Sequence, residues 1–146
     1  MSWPALLADG RVRTHTTSKR ELDDLRDVIA RDIADASIAA LSADRRFATA
    51  YNAALQTSKM IIACSGYRVT GIGHHQTTFE AAEIALGPSS AAAFAYFDAC
   101  RRKRNTVDYD RAAVASDTEA TDILREAKNL LILSEQWISN YHPTLR

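Results

Sequence analysis

The stretch Phe47-Ala48-Thr49-Ala50-Tyr51-Asn52-Ala53-Ala54-Leu55, continued by Gln56-Thr57-Ser58-Lys59-Met60-Ile61-Ile62-Ala63-Cys64, decides the fold. Phe47, Ala50, Tyr51, Ala54, Leu55, Met60, Ile61, Ile62 and Cys64 spread over a wide apolar surface at helical spacing. A helix that is apolar over most of its girth sits inside a protein. This one is therefore expected at the centre of a bundle. Ser42 or Asp44 can cap its start, and Gly66 is a natural stop, since glycine accepts the left-handed conformation beyond a helix end. Tyr51 and Asn52 bring polar atoms into that interior, and the default is a structural hydrogen bond to another helix.

Upstream, Ser18-Lys19-Arg20-Glu21 has capping-box spacing. Leu22, Leu25, Val28, Ile29, Ile33, Ala36 and Ala40 follow as one stripe, predicting a helix about 35 Å long. Asp23, Asp24, Asp27, Arg31 and Asp35 fall between them, on a solvated face. The short connection near Ser42 makes these two helices an antiparallel hairpin. Residues 1–17, broken by Pro4 and Gly10, read as an irregular arm that packs on the helices through Trp3, Leu6 and Leu7.

Downstream, residues 66–76 read as the one long internal loop. Thr77-Thr78-Phe79-Glu80 and Ser116-Asp117-Thr118-Glu119 are two further capping boxes. A short helix is expected to stop at Gly87-Pro88. The next, capped by Ser89 or Ser90, carries Phe94, Tyr96, Phe97 and Cys100. The last carries Ile123, Leu124, Leu130, Leu131, Trp137 and Ile138 and ends before Pro143. The fold class is all-α: an up-and-down bundle of four to five helices, one domain over residues 18–142 with the arm 1–17 on its side.

The chain of 146 residues has 18 Lys+Arg against 18 Asp+Glu, so any nucleic-acid role must be local. Cys64 and Cys100 lie in apolar helical settings without a CxxC partner and read as buried free thiols, which fits a reducing cytoplasm. No apolar run reaches the length needed to span a bilayer, and the first residues do not read as a signal peptide, so no membrane role is expected.

Positive charge is concentrated in Arg101-Arg102-Lys103-Arg104, followed by Asn105-Thr106-Val107-Asp108-Tyr109. Arginine's planar fork grips phosphate oxygens in two places, and Asn105 can orient it or bind a base edge. On a continuous helix Arg101 and Arg104 share a face with Phe97 and Asp108. The competing reading is a helix end stabilised by cations, with Asp98, Asp108 and Asp110 as ion-pair partners. His74 and His75 are adjacent, point in different directions and have no third ligand at convincing spacing, so no metal site is expected. A histidine reaching from this loop into a catalytic site is a further reading. Asp23, Asp24 and Asp27 read as solvated rather than cation-binding. Gly71-Ile72-Gly73 lacks the Lys and the strand-to-helix setting of a phosphate loop, and nothing implies a cofactor.

Taken together, Ala50-Tyr51-Asn52-Ala53-Ala54-Leu55, Gly66-Tyr67-Arg68, His74-His75-Gln76-Thr77-Thr78-Phe79-Glu80 and Arg101 to Tyr109 resemble the HEPN family over about residues 20–139. They look like one uncharacterised bacterial subfamily of it. The resemblance implies a helical bundle and a homodimer whose two basic helices share one cleft. It also implies a toxin–antitoxin or defence setting, with a nucleotidyltransferase or antitoxin as partner. Active members of the family carry Arg, four to six residues, then His. There the His moves protons and the Arg stabilises phosphorane charge, without metal. Arg104-Asn105 matches the start of that motif, and Tyr109 stands where the His belongs. A phenol is a poor proton shuttle near neutral pH.

The expectation is a catalytically degenerate domain, leaning away from an enzyme. Its ligand would be RNA, a nucleotide or a partner protein, with Arg101, Arg102, Arg104, Asn105, Asp108, Tyr109, His74 and His75 as ligand-binding candidates. Arg104, Asn105 and Tyr109 are the catalytic candidates if activity remains. An active ribonuclease using Arg104 with His74, His75 or Tyr109, and a purely structural interaction module, are the alternatives. A tyrosine near the motif accepts adenylyl groups in some family members, and Tyr109 is the position to consider here.

Overall fold

The computed structural model describes residues 1–71, 74–109 and 112–146, with side chains at all of these except 107–109. The described residues form α1 (Trp3–Ala8), β1 (Val12–Thr14), α2 (Lys19–Ala36), α3 (Ala43–Cys64), β2 (Tyr67–Val69), α4 (His74–Leu86), α5 (Ala91–Tyr109) and α6 (Asp117–Tyr141). Short 3-10 turns occupy Pro88–Ser90 and Pro143–Leu145. The protein is a helical bundle, and α3 is its centre. Ala50, Tyr51, Ala54, Met60 and Ile61 are fully buried, and α2, α4, α5 and α6 all pack on α3.

Side-chain pairs fix the helix directions. Asp32 of α2 meets Asn52, and Glu21 and Leu25 lie beside Lys59 and Ala63, so α2 runs against α3. Asp44 accepts from the Val114 and Ala115 amides, at 3.0 and 2.7 Å, where α6 is about to begin. Arg46 pairs with Asp117 at the same end. At the other end the charges of Arg26 and Glu135 act on Cys64. α6 therefore runs with α3. Lys103 pairs with Glu119, and Tyr96 feels Asp122 and Glu126, so α5 runs against α6.

Capping explains most helix limits. Ser42 accepts from the Arg45 amide at 3.1 Å and starts α3. The Ser116 box is complete: its hydroxyl accepts from the Glu119 amide and the Glu119 carboxylate accepts from the Ser116 amide, both at 3.0 Å. The Ser18 box is half made, because Glu21 turns away to His15 and Thr17.

The structure corrects three sequence expectations. The first long helix ends at Ala36, not Ala40, and so is about 27 Å long. Beyond it Ile38 and Leu41 are exposed, and without burial nothing extends the helix. The arm is not irregular: it forms α1, with Leu6 fully buried, and β1. The 66–76 loop contains β2, which pairs antiparallel with β1, and α4 starts at His74, three residues before Thr77. Thr77 does not cap that helix. Its hydroxyl accepts from Arg11 at 2.9 Å, and Arg11 also pairs with Glu80, which ties the ribbon to α4. Trp3 stacks on Tyr67 with ring centroids 4.3 Å apart, closing the ribbon's other side.

Candidate functional site

Three helices deliver one side chain each to a common point. Tyr51, at the middle of α3, is fully buried. Its hydroxyl lies 3.2 Å from Nδ1 of His75, in the first turn of α4. The Arg104 guanidinium, near the end of α5, sits over the Tyr51 ring at 5.8 Å from its centroid, a cation–π distance. Phe79 meets the same ring edge-on at 5.8 Å. α4 and α5 form a tight hairpin, because Gly87 (φ +94°) and Pro88 end one helix and begin the turn into the other.

Electrostatics at this point are set by burial and by crowded positive charge. Burial pushes the Tyr51 phenol up, against the opposing pull of Arg104 and Arg101, so it stays protonated. Burial, then His74, Arg104, Lys59 and Arg101, drive His75 down to about 4. At neutral pH His75 is therefore an uncharged imidazole, a hydrogen-bonding group and a weak base.

The basic run itself is partly neutralised. Arg101 donates to Asp98 at 2.9 Å, Arg102 lies 3.9 Å from Asp98, and Lys103 pairs with Glu119. These are the helix-end ion pairs of the competing reading for Asp98, with Glu119 as a partner from outside the run. Partly exposed pairs of this kind are worth about 0–1 kcal/mol, so an incoming phosphate can displace them. Of the candidates, Arg101, Arg104 and His75 converge. Arg102 and Asn105 are exposed on α5, and His74 turns its ring 82° from that of His75 towards a separate groove. α5 is helical through Tyr109, but the side chains of Asp108 and Tyr109, and all of Asp110, lie outside the described residues.

Other residues took structural roles. Asn52 donates to Asp32, a buried carboxylate of α2, as an inter-helix bond. Asp23 pairs with Lys19 and Arg26. Cys64 and Cys100 are buried free thiols, each pushed by burial up to about 11. Among the described residues no group of three or more His, Cys, Asp or Glu side chains is placed to hold a metal ion. No helix among them is long and apolar enough to cross a membrane.

Sequence reasoning treated Tyr51 only as a buried group needing a partner. Its pairing with His75 and Arg104 links residues far apart in the chain, which no local spacing reveals. Lys59 was hidden within the central apolar run. Comparison with protein-family models, with curated proteins and with solved structures finds no match.

Proposed function

We propose that this protein is a HEPN-like domain that acts as a homodimer and binds RNA through its phosphates, using Arg101 and Arg104 with His75 beside them. The observation that carries this is the convergence of Arg104, His75 and Tyr51 from three helices. An arginine already ordered against an aromatic ring loses less freedom on gripping a phosphate. The neutral imidazole adds a hydrogen-bonding group without a competing charge.

A titration of labelled RNA against salt tests the reading. Affinity should fall steadily as salt rises, and Arg104→Ala should weaken it and flatten the salt dependence. Absence of RNA binding by the folded protein at low salt would falsify it. A nucleotidyltransferase or antitoxin partner, in a toxin–antitoxin or defence setting, rests on the family resemblance alone. Intact mass after co-expression with the neighbouring gene checks for an adenylylated tyrosine, Tyr109 being the position in question.

A second reading has its own observation. His75 is a histidine beside the motif arginine, supplied from α4 rather than from α5. It would serve a metal-independent ribonuclease as the base for the 2′-OH, although its low proton affinity makes that base weak. Cleavage of RNA in EDTA, lost in both His75→Ala and Arg104→Ala, would support this reading. Intact RNA at high protein concentration would remove it.

A further inference from the structure

We propose that the groove between the β1–β2 ribbon and α3 binds a small phosphate monoester with a ring-bearing body, of nucleoside-monophosphate size, held by Lys59 and Arg68. This goes beyond the RNA reading, since neither residue belongs to the basic run.

The groove encloses about 520 Å³, within the range of small-molecule sites. Leu25, Ile62 and Val69 give it apolar walls, Lys59 and Arg68 its positive side, and His74 a further polar group. Lys59 is half-buried and, among the described residues, makes no hydrogen bond or ion pair. Glu21 also lines the groove and its charge reaches Arg68, but its oxygens already accept from His15 and Thr17 at 2.9 to 3.0 Å.

The ribbon supplies an independent observation. Its register sets Arg13 directly opposite Arg68. Both are exposed, and neither makes an ion pair among the described residues. Like charges directly opposite destabilise a sheet, and a two-stranded ribbon has little stability to spare. The Glu21 charge offsets this pair only in part, and such a break of a local rule marks a functional position. A bound anion supplies the missing compensation.

The charge count selects the ligand. A phosphate monoester carries about −1.5 to −2 near pH 7; Lys59, Arg68 and the neighbouring Arg13, less the Glu21 carboxylate, leave two positive charges to meet it. A single carboxylate would leave one cation unmatched. Burial, then the Arg68 charge, hold the Lys59 ammonium below its usual range, a penalty that an incoming dianion relieves. The apolar walls and the Tyr67 ring favour a ligand with a flat body over the bare ion.

Isothermal titration of the full chain with AMP and UMP, with adenosine and inorganic phosphate as separate arms, tests this. At least one nucleotide should bind more tightly than phosphate, and adenosine should give no signal. Lys59→Gln and Arg68→Gln should each weaken nucleotide binding about tenfold or more, as expected for a lost charge-assisted hydrogen bond. Arg68 is exposed, so its variant should fold. Free of ligand, it should melt above the parent, because the cross-strand repulsion is gone. The proposal is overturned if neither nucleotide binds at millimolar concentration, if phosphate alone binds as tightly, or if Arg68→Gln leaves affinity unchanged.

Discussion

At the scale of the residue, His75 is the group most altered by its surroundings. Unfolded, a histidine titrates near 6.5, whereas His75 in the fold titrates at about 4. Between those values the unfolded chain holds the extra proton, so stability rises with pH across that window. The stabilisation is complete above about pH 6.5 and is lost progressively as pH falls towards 4. Melting followed from pH 7 down to 4.5 should show this loss, and His75→Gln should flatten it. Glu21 and Asp23, both held low in the fold, contribute an acid limb below pH 4.5 that the variant keeps. An NMR titration placing His75 near 6.5 would contradict the crowding described for this site. The histidine's position next to His74 was readable beforehand. Its low proton affinity was not, because it arises first from burial, and the charges of Arg104, Lys59 and Arg101 that add to that of His74 reach it only through packing.

At the scale of the element, caps and turns delimit helices whose sequence periodicity is otherwise continuous. Ser116→Ala removes the hydroxyl from a complete capping box and frees the Glu119 amide. The expected cost is about 1 kcal/mol, read as a melting temperature a few degrees lower. An unchanged melting curve would show that the start of α6 is held by Asp44 and the pair Arg46–Asp117 instead. The same kind of signal misled at Thr77. Its spacing to Glu80 matches a box, but Arg11 takes both side chains, and that arginine comes from the arm. Local motifs state what a segment can do alone; a long-range partner decides whether it does so. β1 and β2 make the same point. Each has three residues, too few to announce a strand, and each is a strand only because the other lies beside it.

At the scale of the molecule, the proposed pairing of two copies sets a simple expectation. Sedimentation should return twice the 16.1 kDa of the chain, and a value at the single-chain mass would remove the shared cleft from the RNA reading. The helical bundle and its central helix were legible in the sequence, since Phe47 to Cys64 is too apolar to sit anywhere but inside. So were the α2–α3 hairpin, the stops at Gly66 and Gly87, and the buried thiols. Each follows from short-range chemistry: apolar periodicity, glycine's conformational freedom, a side chain near its own backbone. The sequence also showed where positive charge is dense. Only the tertiary structure decided that Arg101 and Lys103 pair with Asp98 and Glu119, and that Arg101 and Arg104 act on His75. It alone brought Tyr51, His75 and Arg104 together, and set Arg13 opposite Arg68 at the rim of a groove containing Lys59. Contacts between residues distant in the chain depend on how helices are laid against one another, and that arrangement is a property of the packed core as a whole.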